Sequence, residues 1–149
     1  MLSENQLLNH IYQTAEMGRE GIHSVLKYAE DPTLASALNS QYTEYEKLQN
    51  AAGSLLQARG EPPKGLGPVA KASSEVMSTM KAMTDRSAAN IAEMMIQGST
   101  MGVTKSLRTI RECDLRDEGV RRLADRLLKT EQDNIEEMKR LTASSPRCC

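Results

Sequence analysis

Apolar positions recur with a helical period almost from the first residue. Leu8, Ile11, Ala15, Gly18, Ile22, Val25 and Ala29 follow a nearly strict heptad, and Leu7 and Leu26 widen the stripe. Ser3-x-x-Gln6 predicts a capping box at the start of this helix, because the hydroxyl and the amide satisfy orphan backbone groups reciprocally. Asp31-Pro32 ends the first helix and opens the second, since Asp suits the N-cap and Pro the first helical position. The second stripe runs Leu34, Leu38, Gln41, Tyr45, Leu48, Ala52 and Leu55. Gly60 followed by Pro62-Pro63 stops it. Gly65, Gly67 and Pro68 continue as linker, and Val76, Met77, Met80 and Met83 predict a short helix over about 68–83. Thr84-Asp85 is the expected cap of a third long helix with Ala88, Ala92, Met95, Ser99, Gly102, Val103, Ser106 and Ile110 on its stripe. A fourth is expected from Asp114, with Asp117 and Glu118 in its first turn and Val120, Leu123, Ala124, Leu127, Glu131, Asn134, Met138 and Leu141 inward.

Helices of roughly 27 residues span about 40 Å each. Four of matched length predict an all-α fold, an antiparallel four-helix bundle forming a single domain over residues 1–142. The first and last pairs are joined tightly and read as hairpins. The connection over about 60–85 is longer than neighbouring helices need. It can run the length of the bundle and start the third helix at the opposite end. Residues 143–149 form a tail ending in Cys148-Cys149, with Ser144 to Cys149 non-helical and expected to be mobile.

Composition then narrows the function. The 149 residues carry four Tyr and no Phe or Trp, so a base-stacking platform is hard to assemble. With 19 Lys and Arg against 20 Asp and Glu, there is no basic footprint for a phosphate backbone. Nucleic acid is therefore not an expected partner. Apolar runs are too short to cross a membrane. The start at Met1-Leu2-Ser3-Glu4 lacks the features of a signal peptide, which predicts a cytoplasmic chain. Three cysteines do not make a disulfide framework.

The layout of two helical hairpins joined by a long crossover resembles the ferritin-like superfamily over the whole chain except the tail. That resemblance implies inward carboxylates on the first and third helices and Glu-x-x-His on the second and fourth, holding iron or manganese. In this sequence the fourth helix has Glu131-x-x-Asn134, with Asn in place of His. The second has Tyr45 and Leu48 at the matching positions, with Glu44 and Lys47 at the stripe's edge. Ala15 and Gly18 occupy the first helix's stripe while Glu16 and Glu20 point away. The third presents Ser99 and Gly102, and Glu93 points outward. One inward carboxylate stands where four are expected. Glu131 is expected instead to join a buried polar cluster of Gln41, Tyr45, Ser99 and Asn134, with its pKa raised by desolvation; residual metal binding at Glu131 and an outward-facing Glu131 are the alternatives. The small residues Ala15, Gly18, Ser99, Gly102 and Ser106 allow close backbone approach at that level, so contracted side-chain packing is expected there; a ligand-sized cavity is the alternative.

Other candidate sites carry blander readings. Glu16, Glu20 and His23 share one face and could hold a divalent ion, but that face lies opposite the stripe and reads as solvated surface. Met77, Met80, Met83, Met94, Met95 and Met101 could hold a soft metal, although methionine more often fills a core or an interface. Cys148-Cys149 could bind soft metal, cross-link, or carry a lipid; it could equally be a passive tail. Cys113 reads as a small buried residue. Nucleophilic catalysis lacks a constellation, because His10 and His23 both lie off the first helix's stripe, and no Gly-rich phosphate cradle occurs.

The expectation is a non-enzymatic structural or protein-interaction module without a cofactor. Tyr42, Ile96, Leu107 and exposed methionines of the crossover suggest a homodimer or another protein partner. A di-metal oxidase or metal-storage protein with a rearranged site, and a soft-metal or thiol-handling protein, are the alternatives.

Overall fold

Each long helix is started by a side chain that satisfies its orphan amides. In α1 (Glu4–Leu26) the Ser3 hydroxyl accepts from the Gln6 amide at 3.1 Å, and the Gln6 side chain accepts from the Ser3 amide at 2.8 Å. Asp31 caps α2 (Pro32–Ala58) by accepting from the Leu34 amide at 2.9 Å. At the other end of α2, Gly60 adopts φ 75°, and the amides of Gly60 and Glu61 bond back to Gln57 and Leu56. This is a Schellman stop, which a side chain at Gly60 would strain.

The third and fourth helices start later than the sequence pattern suggests. Ser87, not Thr84-Asp85, caps α3 (Ala88–Arg111), its hydroxyl accepting from the Asn90 amide at 3.3 Å. Asp85 instead organises the approach, accepting from the Ser87 amide. Likewise α4 (Glu118–Ala143) starts behind Asp117, whose carboxylate takes the Gly119 and Val120 amides. Asp114 pairs with Arg116 and bonds through its amide to Leu2. In both cases the cap is the residue whose oxygen reaches free amides two or three positions on, and a nearby acid upstream serves the turn.

The computed structural model describes residues 1–65 and 78–143. Residues 66–77, which hold most of the short helix expected over 68–83 together with Met77, lie outside the described residues. So does the tail from 144 with Cys148-Cys149. Residues 78–82 are helical, and Met80 is completely buried rather than exposed.

All four long helices contribute to one core, and the protein is an all-α helical bundle. The most extensive packing is α1 on α2 and α3 on α4; α2 with α4 and α1 with α3 touch less. Leu7, Leu8, Ile11, Ile22, Leu38, Leu48, Ile91 and Leu127 are fully enclosed. One end of the bundle is tied by a polar cluster. Arg59, just past α2, contacts Glu4 at 3.1 Å and Asp117 at 3.0 Å. Glu4 also accepts the Arg116 and Asp117 amides at 2.7 and 2.6 Å, and Leu2 bonds to Glu112. The starts of α1 and α4 thus meet the ends of α2 and α3. These ion pairs are partly solvated, so screening by water leaves each a small net contribution. Core burial carries the stability, and the cluster sets which helix ends meet.

Candidate functional site

The residues at mid-bundle come from all four helices. Tyr45, 5% exposed, projects inward from α2 because it falls on the stripe between Leu38 and Leu48. Its hydroxyl donates to Oε1 of Glu131 on α4. Asn134, one turn further along α4, donates from Nδ2 to the Tyr45 oxygen at 3.2 Å. The Ser99 hydroxyl of α3 lies near enough to Tyr45 to oppose the rise in its pKa. Glu131 is 2% exposed, Asn134 6% and Ser99 8%.

Two glycines make room for this group. A Cβ on Gly18 of α1 would sit 2.7 Å from the Tyr45 ring. A Cβ on Gly102 of α3 would sit 3.1 Å from Cδ of Glu131 and closer still to Oε2. Real Cβ atoms do not approach so closely, so ring and carboxylate occupy the space that side chains at these positions would take. The small residues on α1 and α3 are thus filled against by the large ones on α2 and α4.

Electrostatics follows from the enclosure. Burial raises the Glu131 pKa from 4.5 to about 7, with the Tyr45 hydrogen bond pulling the other way. The Tyr45 hydroxyl is pushed well above its usual value, first by burial and then by the Glu131 charge. No cation is among the groups that shift Glu131. The donor set at mid-bundle is one carboxylate, one phenol, one primary amide and one hydroxyl.

Gln41 is buried but turned elsewhere: its Nε2 donates to Oε1 of Glu137 at 2.9 Å. Glu16 and Glu20 are half-buried and His23 is exposed. Among the described residues, no three His, Cys, Asp or Glu side chains converge closely enough to hold a metal ion. Glu16 lies against the start of the crossover, where a Cβ at Gly65 would be 3.4 Å from its Oε1.

His10 lies off the heptad stripe of α1 yet is half-buried and partnered. Its Nε2 lies 2.9 Å from the Ser106 hydroxyl on α3, and Thr14 is 3.4 Å away. The heptad of α1 marks only the face turned to the core and misses the seam it shares with α3. Burial, then repulsion from Lys105, lowers the His10 pKa. Ser106 is fully enclosed, so this Ser–His pair offers no nucleophile to a substrate. Tyr42 is likewise occupied: it accepts from Arg19 at 3.1 Å, with the guanidinium 5.2 Å from its ring centroid. Ile96 is half-buried. Leu107 and Met101 remain 48% and 59% exposed, and Met17 46%. Cys113 is buried at the end of α3.

A crystal structure of a DUF305 fragment from Deinococcus radiodurans matches with a TM-score of 0.74, covering 94% of this chain and 95% of that one, at 19% identity. The likeness is one of fold. No family's sequence profile matches the chain, and no curated protein matches it. Among the described residues, no helix is long and apolar enough to cross a membrane.

Proposed function

We propose that this chain is a ferritin-like antiparallel four-helix bundle, with a long crossover between α2 and α3, acting in the cytoplasm as a non-enzymatic structural or protein-interaction module and as a homodimer. The observation that carries this reading is the filling of mid-bundle by Tyr45, Glu131 and Asn134 against Gly18 and Gly102. A di-metal centre needs several carboxylates with free oxygens, each able to turn toward the ions. Here the single carboxylate has one oxygen taken by a phenol and the other pressed against the Gly102 backbone. The residues do not fit a di-metal group.

The topology within this proposal is supported by the clustered helix ends. Because α2 ends where α1 starts, and α3 also ends there, the segment between α2 and α3 has the length of the bundle to cover. The interaction role is supported by Met17, Met101 and Leu107, large apolar side chains left in water.

Metal analysis of protein purified without chelator, followed by anaerobic titration with Fe(II) and Mn(II), tests the reading. Only trace iron, manganese and zinc and no saturable uptake are expected. One or two bound equivalents, lost in Glu131→Gln, would overturn it in favour of a di-metal oxidase or storage protein. Light scattering is expected to give twice the 16.5 kDa chain mass; a species of single-chain mass at all concentrations would remove the homodimer.

A further inference from the structure

At the bundle end opposite the Arg59 cluster, a cavity of about 740 Å³ opens between the start of α2, the start of α3 and the end of α4. Its size falls within the usual range for small-molecule sites, about 300–1,000 Å³. Its charged groups are Asp31, Glu137 and Arg140. Asp31 is committed to capping α2. Glu137 and Arg140 are not committed to a charge. They stand three residues apart on α4, the spacing at which Lys47–Glu44, Arg121–Glu118 and Lys139–Glu136 close as ion pairs. Glu137 and Arg140 form no ion pair with each other or with any other described residue.

The buried Gln41 side chain explains half of this separation. It donates to Oε1 of Glu137 at 2.9 Å and so holds that carboxylate on the cavity wall. Across the cleft, Ser36 and Ser40 present hydroxyls one helical turn apart on α2, and Ala37 and Ala88 keep the floor small and apolar. The cavity therefore offers an oriented anion, a separate guanidinium, two hydroxyls and an apolar patch. A simple anion would meet Glu137 and a simple amine would meet Arg140. A ligand carrying both charges satisfies both groups.

We propose that this cavity binds a zwitterionic α-amino carboxylate, with its ammonium on Glu137 and its carboxylate on Arg140. The shared chemistry belongs to a free amino acid and to a short unblocked peptide. The apolar floor favours small aliphatic side chains over charged ones. This site is separate from the mid-bundle cluster, so its failure would leave the reading of that cluster untouched.

Amide and arginine side-chain NMR shifts are to be followed during titration with L-leucine, alanyl-alanine, and doubly blocked N-acetyl-leucine amide, each to about 10 mM, a range that captures weak binding. Saturable shifts at Ser36, Ser40, Ala88 and Arg140 with leucine or the dipeptide are expected, and none with the blocked compound. Leucine alone would assign a free amino acid; the dipeptide alone would assign a peptide. Glu137→Gln, which keeps an oxygen for Gln41, and Arg140→Gln are each expected to weaken binding by about tenfold or more. Helical circular dichroism is expected to stay unchanged in both. No saturable shift with either zwitterion, equal binding of the blocked compound, or full affinity in both variants would overturn the proposal.

Discussion

At the residue scale, Glu131 and the two glycines decide what the middle of the bundle is. Glu131 is held above its ordinary pKa by burial, so folding favours its neutral form. Its contribution to stability is fully present below the unfolded value of 4.5 and is lost as pH rises to about 7. The shift corresponds to about 3 kcal/mol across that window, at 1.36 kcal/mol per pKa unit. Urea unfolding at a series of pH values should show this decline, and Glu131→Gln should remove it. The glycines make a second contrast. Gly102→Ala brings a methyl against the Glu131 carboxylate and should cost about 1–3 kcal/mol by overpacking. Gly98→Ala, one helical turn away with open space around it, should stabilise by up to about 1 kcal/mol through helix propensity. A similar gain at both positions would mean that mid-bundle is looser than the contacts require.

At the element scale, caps separate local signal from tertiary context. The starts of α1 and α2 were legible because Ser3-x-x-Gln6 and Asp31-Pro32 carry their own chemistry. Thr84-Asp85 and Asp114 misled because several capping residues stand close together there, and only the path of the chain selects Ser87 and Asp117. Ser87→Ala should therefore lower stability by about 1 kcal/mol in thermal melts, and Thr84→Ala should leave it unchanged. Inward faces of the helices were legible from their 3.6-residue period, which places Tyr45, Ser99, Glu131 and Asn134 on stripes. The hydrogen-bond partners were not. Periodicity says which way Gln41 faces but not that Glu137, on the flank of α4, will reach it first. His10 was missed for the same kind of reason, since the α1–α3 seam lies beside the heptad face and leaves no mark in the apolar pattern.

At the scale of the whole molecule, hydrophobic packing supplies the stability and polar contacts supply arrangement. The Glu4–Arg59–Asp117 cluster joins the helix ends, and the mid-bundle group joins all four helices across the core. Exposed methionine and leucine on α3 then carry the proposed self-association. Met101→Asp and Leu107→Asp together should convert the dimer to a monomer in light scattering with little change in the urea midpoint. Loss of folding in step with loss of the dimer would place those side chains in the core instead.

A buried carboxyl bonded to Tyr45, with its pKa raised by burial, is proposed to fill mid-bundle in place of a metal site. The most direct measurement is the side-chain carboxyl titration of Glu131 by carbon-detected NMR, with and without equimolar Mn(II). A midpoint near 7, with no paramagnetic broadening of that carbon when manganese is present, is the predicted result. A midpoint near the ordinary 4.5, or selective broadening of the Glu131 signal by manganese, would contradict it.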